Sequence, residues 1–172
     1  MLNNYFENRI SFFPINLELF NHLIILVLNQ QELEDLKEIY ILNYKWGVFY
    51  KQCVLTANKP FIKEIYKKLI CQKKNFINLL QSQMLKKVDK DYLQKLHLEC
   101  REELKVLQQK FPPELNNKHS LLCCHVEKKL HQKYCDSLGN IKDGKIRALL
   151  LSQKHQLNLI LKETEKIEKY LI

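Results

Sequence analysis

The stretch "LLCCHVEKKLHQKY", residues 121–134, decides how the chain is read. Turned at about 100° per residue, Cys123, Val126, Glu127, Leu130 and Tyr134 fall on one line, which Leu138 continues. Glu127 interrupts that apolar line near its middle. A carboxylate there costs free energy unless hydrogen-bonding groups answer it, so other parts of the chain must supply partners. Cys124 falls beside the stripe, His131 near its edge, and His125 points away. Cys124, Glu127 and His131 share one face and could form half of a metal site. The other reading makes them core and boundary residues, because a complete zinc site takes about four ligands and no C-x-x-C pair occurs.

The surrounding sequence predicts more helices. The 172 residues include only 3 Gly and 4 Pro, and 46% are apolar. Few breakers and long periodic runs predict an all-α protein. Pro14 opens a short helix to about Leu28. A long helix follows from about Gln31 to Ala57, ended by "NKP", since proline disfavours helix at the residue before it. "FIKEIYKKLICQKKNFINLLQSQML" is the next, and "KKVDKD" is a polar break. A helix over about Asp91–Phe111 stops at "PPELNN". Two more, from about His119 to Leu138 and from about Ile146 onward, flank the loop "GNIKDGK". The expected organisation is an N-terminal helical extension, residues 1–30, and one bundle domain, residues 31–172.

Each long helix carries a stripe with a polar break. The first reads Leu36, Tyr40, Asn43, Gly47, Tyr50, Val54. The second reads Phe61, Ile65, Leu69, Gln72, Phe76, Leu79, Leu80. The last reads Ile146, Leu149, Gln153, Gln156, Ile160, Ile167, Leu171. Asn43, Gln72, Glu127 and Gln156, with Gln153 joining the last, are therefore expected to converge in one buried polar layer.

Two hairpins joined by a long crossover is the connectivity of ferritin-like bundles, which direct Glu from two helices and Glu-x-x-His from the other two toward a metal centre. Here the four places hold Asn43, "QKKN" (72–75), Glu127 and "QLNL" (156–159). No Glu-x-x-His occurs. Cys123, Glu127 and Tyr134, at offsets of four and eleven, resemble the third helix of a bacterial ferritin-like family, domain of unknown function 2383. Tyr50 near the end of the first helix, Lys73 three residues before Phe76, and "RALLLSQKHQ" around Gln153 are similar to its other helices. The resemblance covers about Gln31–Ile167 and implies a ferritin-like four-helix bundle. This chain departs from it at Cys124, Lys128 and Gln156, where the family is usually acidic. The expectation is a degenerate metal site at Asn43, Gln72, Glu127 and Gln156, with no metal and no cofactor, and with Cys124 and His131 as weaker ligand candidates.

The formal charge of +9 permits a nucleic-acid partner, but Arg occurs three times and no recognition motif is present. Lys63, Lys67 and Lys74 read as a solvated face. No P-loop or G-x-S-x-G occurs. "LELFNHLIILVL", residues 17–28, is too short and polar to span a bilayer, so it is expected to pack on the bundle, on a second copy or on a protein partner. No secretory signal is read, and the six cysteines are expected to be reduced thiols in a cytoplasmic protein. The function expected is binding or structural and non-catalytic. An iron-dependent oxidoreductase or storage protein is the first alternative, and a basic nucleic-acid-associated protein the second.

Overall fold

The computed structural model describes residues 30–108 and 119–171, with side chains over 30–105 and 123–165. These residues form five α-helices and no strand: α1 Gln30–Thr56, α2 Pro60–Met84, α3 Lys90–Gln108, α4 His119–Asn140 and α5 Gly144–Leu171. The protein is all-α, as its periodicity predicts. The expected helix over 14–28 and the stop at "PPELNN" lie outside the described residues.

Local chemistry sets the helix ends. Pro60 is the first residue of α2, where its missing N–H removes no helical bond. Asp89 Oδ1 accepts the Tyr92 N–H at 2.7 Å and so caps α3. Asp143 Oδ1 accepts the Ile146 N–H at 2.9 Å at the start of α5. With that cap in place the loop shrinks to residues 141–143, shorter than "GNIKDGK" suggested.

Pairs of contacts give the helix directions. Asp35 meets Asn140, Asn43 meets Tyr134 and Tyr50 meets Glu127, so α1 and α4 are antiparallel. Glu32 meets Lys87 and Tyr50 stacks on Tyr66, so α1 and α2 are antiparallel. Lys73 meets Glu127 and Phe76 lies against Tyr134, which makes α2 and α4 parallel. Tyr134 meets Gln153 and Lys128 meets Glu165, so α4 and α5 are antiparallel.

The core has two parts. All five helices contribute to the larger, among them Ile39, Phe76, Leu96, Leu130 and Leu150. The smaller is built by Phe49, Cys53, Leu69, Cys123 and Val126 with the rings of Tyr50 and Tyr66. Helix α3 lies on α1 through Leu93, Leu96 and Cys100, and the Lys37–Glu99 and Lys45–Glu103 ion pairs flank that contact. At the start of α1, Glu32 Oε1 accepts the backbone N–H groups of Lys142 and Asp143. Asp35 accepts from Lys133 at 2.9 Å and Asn140 at 2.8 Å. Together they bind the α4–α5 turn to α1. Burial pushes the Asp35 carboxyl up, but these bonds outweigh it and hold it below its ordinary range.

Two of the expected stripes are rotated. Helix α2 buries Tyr66, Leu69, Lys73, Phe76, Leu80 and Met84, while Phe61 and Leu79 are exposed. Helix α5 buries Ile146, Leu150, Gln153, Leu157 and Leu161, and Gln156 is exposed. Both helices have apolar residues on either side of the true inward line, so periodicity leaves their rotation undetermined by about one residue. Cys124 is also corrected: it is buried rather than beside the core. Among the described residues no helix is long and apolar enough to cross a membrane.

Candidate functional site

The polar centre is assembled from four helices. Glu127 on α4 is fully buried, and both carboxylate oxygens are engaged. Tyr50 of α1 donates its hydroxyl to Oε1 at 2.5 Å, and Lys73 of α2 donates from Nζ to Oε2 at 2.6 Å. The Lys73 side chain is only 1% exposed and that of Glu127 is 0% exposed. The Lys73 stem passes Gly47 of α1, where an added Cβ would lie 3.5 Å from the Lys73 Cβ. Its ammonium also lies 5.8 Å from the centroid of the Phe76 ring.

A second set of bonds lies one to two turns away. Tyr134 of α4 donates to Gln153 Oε1 of α5 at 2.7 Å and accepts from Asn43 Nδ2 at 3.0 Å. Gln153 Nε2 donates to the Phe76 carbonyl of α2 at 3.2 Å, and Asn43 Nδ2 also donates to the Ile39 carbonyl. Asn43 Oδ1 is buried with no hydrogen-bond partner among the described residues.

The expected layer is thus half corrected. Asn43 and Glu127 are in it. Gln72 is half-buried, with its amide oxygen 3.4 Å from Lys73 Nζ, and Gln156 is exposed. Lys73 and Gln153 take their places. The signal for Gln153 was on its stripe. The signal for Lys73 was its position three residues before Phe76.

Burial dominates the electrostatics. It lowers the proton affinity of Lys73, although the Glu127 charge pulls the other way. Burial, then the Glu127 charge, pushes the Tyr50 hydroxyl well above its usual range. Burial likewise raises Tyr134 and Tyr66. It pushes the Cys53 thiol up to about 12 and raises Cys123 as well. These thiols stay protonated at neutral pH and are therefore poor nucleophiles and poor metal ligands.

The half-site Cys124, Glu127, His131 is not assembled as a ligand group. Glu127 is committed to Tyr50 and Lys73. His131 is half-buried with Nδ1 3.8 Å from Cys135 Sγ, and burial, then Lys154, lowers its proton affinity. Among the described residues no three His, Cys, Asp or Glu side chains gather to hold a metal ion. No family model, no curated protein and no solved structure matches the chain.

Proposed function

We propose that this chain is a non-catalytic, ferritin-like four-helix bundle with a binding or structural role, in which a buried ion pair stands where such bundles hold metal. Its helix directions support the first part. Helices α1 and α2 pair antiparallel, α4 and α5 pair antiparallel, and α2 and α4 run parallel, as a long crossover between two hairpins requires. A reducing, cytoplasmic setting suits its six cysteines, none of which forms a disulfide.

The observation that carries the second part is Lys73 Nζ at 2.6 Å from Glu127 Oε2, both buried. A pair of metal ions needs several anionic oxygens. This centre offers one carboxylate already neutralised by an ammonium, two amides, and two phenols that hold their protons. The open acceptor, Asn43 Oδ1, is a neutral carbonyl oxygen and a poor match for a hard cation. These residues do not fit a di-iron centre.

The test is the metal content of protein purified from iron-supplemented cells, with thermal melts in added Fe(II). No stoichiometric iron and no rise in Tm are expected, because a ligand bound only by the native state would raise it. Two irons per chain would overturn the reading.

A further inference from the structure

We propose that the groove formed by α1, α2 and α3 binds a small anionic amphiphile, an aliphatic chain with one carboxylate or phosphate head. Lys73 of the buried ion pair lines its narrower cavity, but the proposal does not depend on the bundle's relationship to ferritins.

Two cavities of about 290 and 590 Å³ adjoin there and share Tyr40, Gln81 and His97. Their volumes are those of sites for drug-sized ligands. The narrower cavity is walled by Val48, Ile70 and Ile77, and the wider by Leu85, Leu93 and Leu98. Over the span from Ile70 to Leu85, α2 advances roughly 22 Å. The groove is thus long, with aliphatic sides along its length.

Its charge has one sign. Among the described residues that line it there is no Asp or Glu. Lys51, Lys73 and Lys74 line the narrower cavity, and Lys90 and Arg101 line the wider one. Lys73 is paired with Glu127, but Lys51, Lys74, Lys90 and Arg101 make no ion pair among the described residues, whereas Lys37 and Lys45 on the same α1–α3 contact are both paired. At the junction the half-buried Gln81 amide makes no hydrogen bond among the described residues, and Tyr40 Oη reaches His97 Nδ1 only at 3.4 Å. Polar groups that can bond to a ligand therefore sit at the junction, and cations line both cavities.

An aliphatic chain suits these walls better than a nucleobase. The Tyr44 and His97 rings meet edge-on at 78°, with centroids 5.3 Å apart, so they present no parallel faces between which a base could slide. The head group belongs in the wider cavity, where the planar Arg101 guanidinium can take a carboxylate or phosphate bidentately, and Lys90, about three turns away on α3, adds to the positive field. The chain then runs past Tyr40 and Gln81 into the narrower cavity.

The experiment is calorimetric titration of the full-length protein below the micelle concentration. The probes are dodecanoate, dodecyl phosphate, dodecyltrimethylammonium and adenosine monophosphate. Both anionic dodecyl probes should bind, and a preference for either head supports the site while indicating whether a free carboxylate or a phosphate ester is its natural source. A chain-length series should tighten roughly fourfold per added CH₂ until the groove is full. The double variant Arg101→Glu, Lys90→Glu alters two exposed side chains and should weaken binding by about tenfold or more, a loss of about 1.4 kcal/mol, with an unchanged melt. Leu98→Asp, at an exposed position on the groove wall, should also weaken it. Equal binding of the alkylammonium probe, tighter binding of the nucleotide, no dependence on chain length, or undiminished binding by the double variant would each overturn the proposal.

Discussion

Replacing Lys73 by Met should be far more damaging than an ordinary lysine substitution. Methionine keeps most of the side-chain volume and can still fill the space beside Gly47 and Phe76. What it removes is, among the described residues, the only cation in contact with Glu127, 2.6 Å from Oε2, in a site with almost no solvent exposure. Glu127 would keep the Tyr50 hydroxyl, which holds its own proton too tightly to neutralise the carboxylate. Breaking a buried pair from one side costs about 3–5 kcal/mol. For a chain of this length each kcal/mol shifts Tm by about 2–4 °C, so a loss of about 3 kcal/mol lowers it by about 6–12 °C. Glu127→Gln should cost a similar amount at pH 7, because it leaves the ammonium buried. The double variant Lys73→Met, Glu127→Gln removes both charges and should recover at least half of the summed loss. Urea denaturation followed by circular dichroism measures all four corners of the cycle, and the m-value checks that cooperativity is kept. The sign with pH can be stated as well. Lys73 already titrates below the ordinary lysine value. Losing Glu127 lowers it further, so the unfolded state of Glu127→Gln binds more protons than the native state between the two pKa values. The variant's deficit against the parent should therefore shrink as pH rises toward the ordinary lysine value. Single-variant costs below 1 kcal/mol, or costs that simply add in the double variant, would refute the claim that the pair is buried and coupled.

The buried acids predict weakness in alkali. Burial holds Cys53 and Cys123 above their ordinary value of 9.0, so above that pH the unfolded chain gives up protons that the native state keeps, and stability falls as pH rises. By pH 10 these two thiols together remove about 3 kcal/mol, part of which the lowered Lys73 restores. Urea midpoints at pH 8 and 10 in reductant check this, and an unchanged or higher midpoint at pH 10 would contradict it. Glu32→Ala removes the acceptor for the Lys142 and Asp143 N–H groups and the partner of Lys87. It should cost about 2 kcal/mol, since hydrogen bonds to charged groups contribute about 1.5–3 kcal/mol each. Amide exchange should speed up at residues 141–143 and in the first turn of α5. If exchange there is unaltered, the turn is held by something other than Glu32.

The helical class and most helix boundaries could be read locally. Pro60, Asp89 and Asp143 act within one turn of themselves, so their effects are visible without knowing what packs where. Asn43, Glu127 and Tyr134 were also legible as inward residues, because each lies among apolar positions at helical spacing that the structure buries on the same side. Glu32 and Asp35 were missed. Near the start of a helix, acidic residues ordinarily read as solvated groups favoured by the macrodipole, and their partners lie about a hundred residues away in sequence.

Two choices between near neighbours were left to the tertiary structure: Lys73 over Gln72, and Gln153 over Gln156. Adjacent helical residues differ by about 100° in direction, and residues three apart by about 60°. An apolar face wider than that angle admits either member of the pair. Lysine is normally assigned to the surface, where its stem lies along the protein and its charge reaches water. At position 73 the ammonium is turned inward because Glu127, on a helix that runs parallel to α2, waits there with a carboxylate that needs an opposite charge. That partnership joins residues 54 positions apart in the chain, and only the packing of α2 against α4 makes them neighbours.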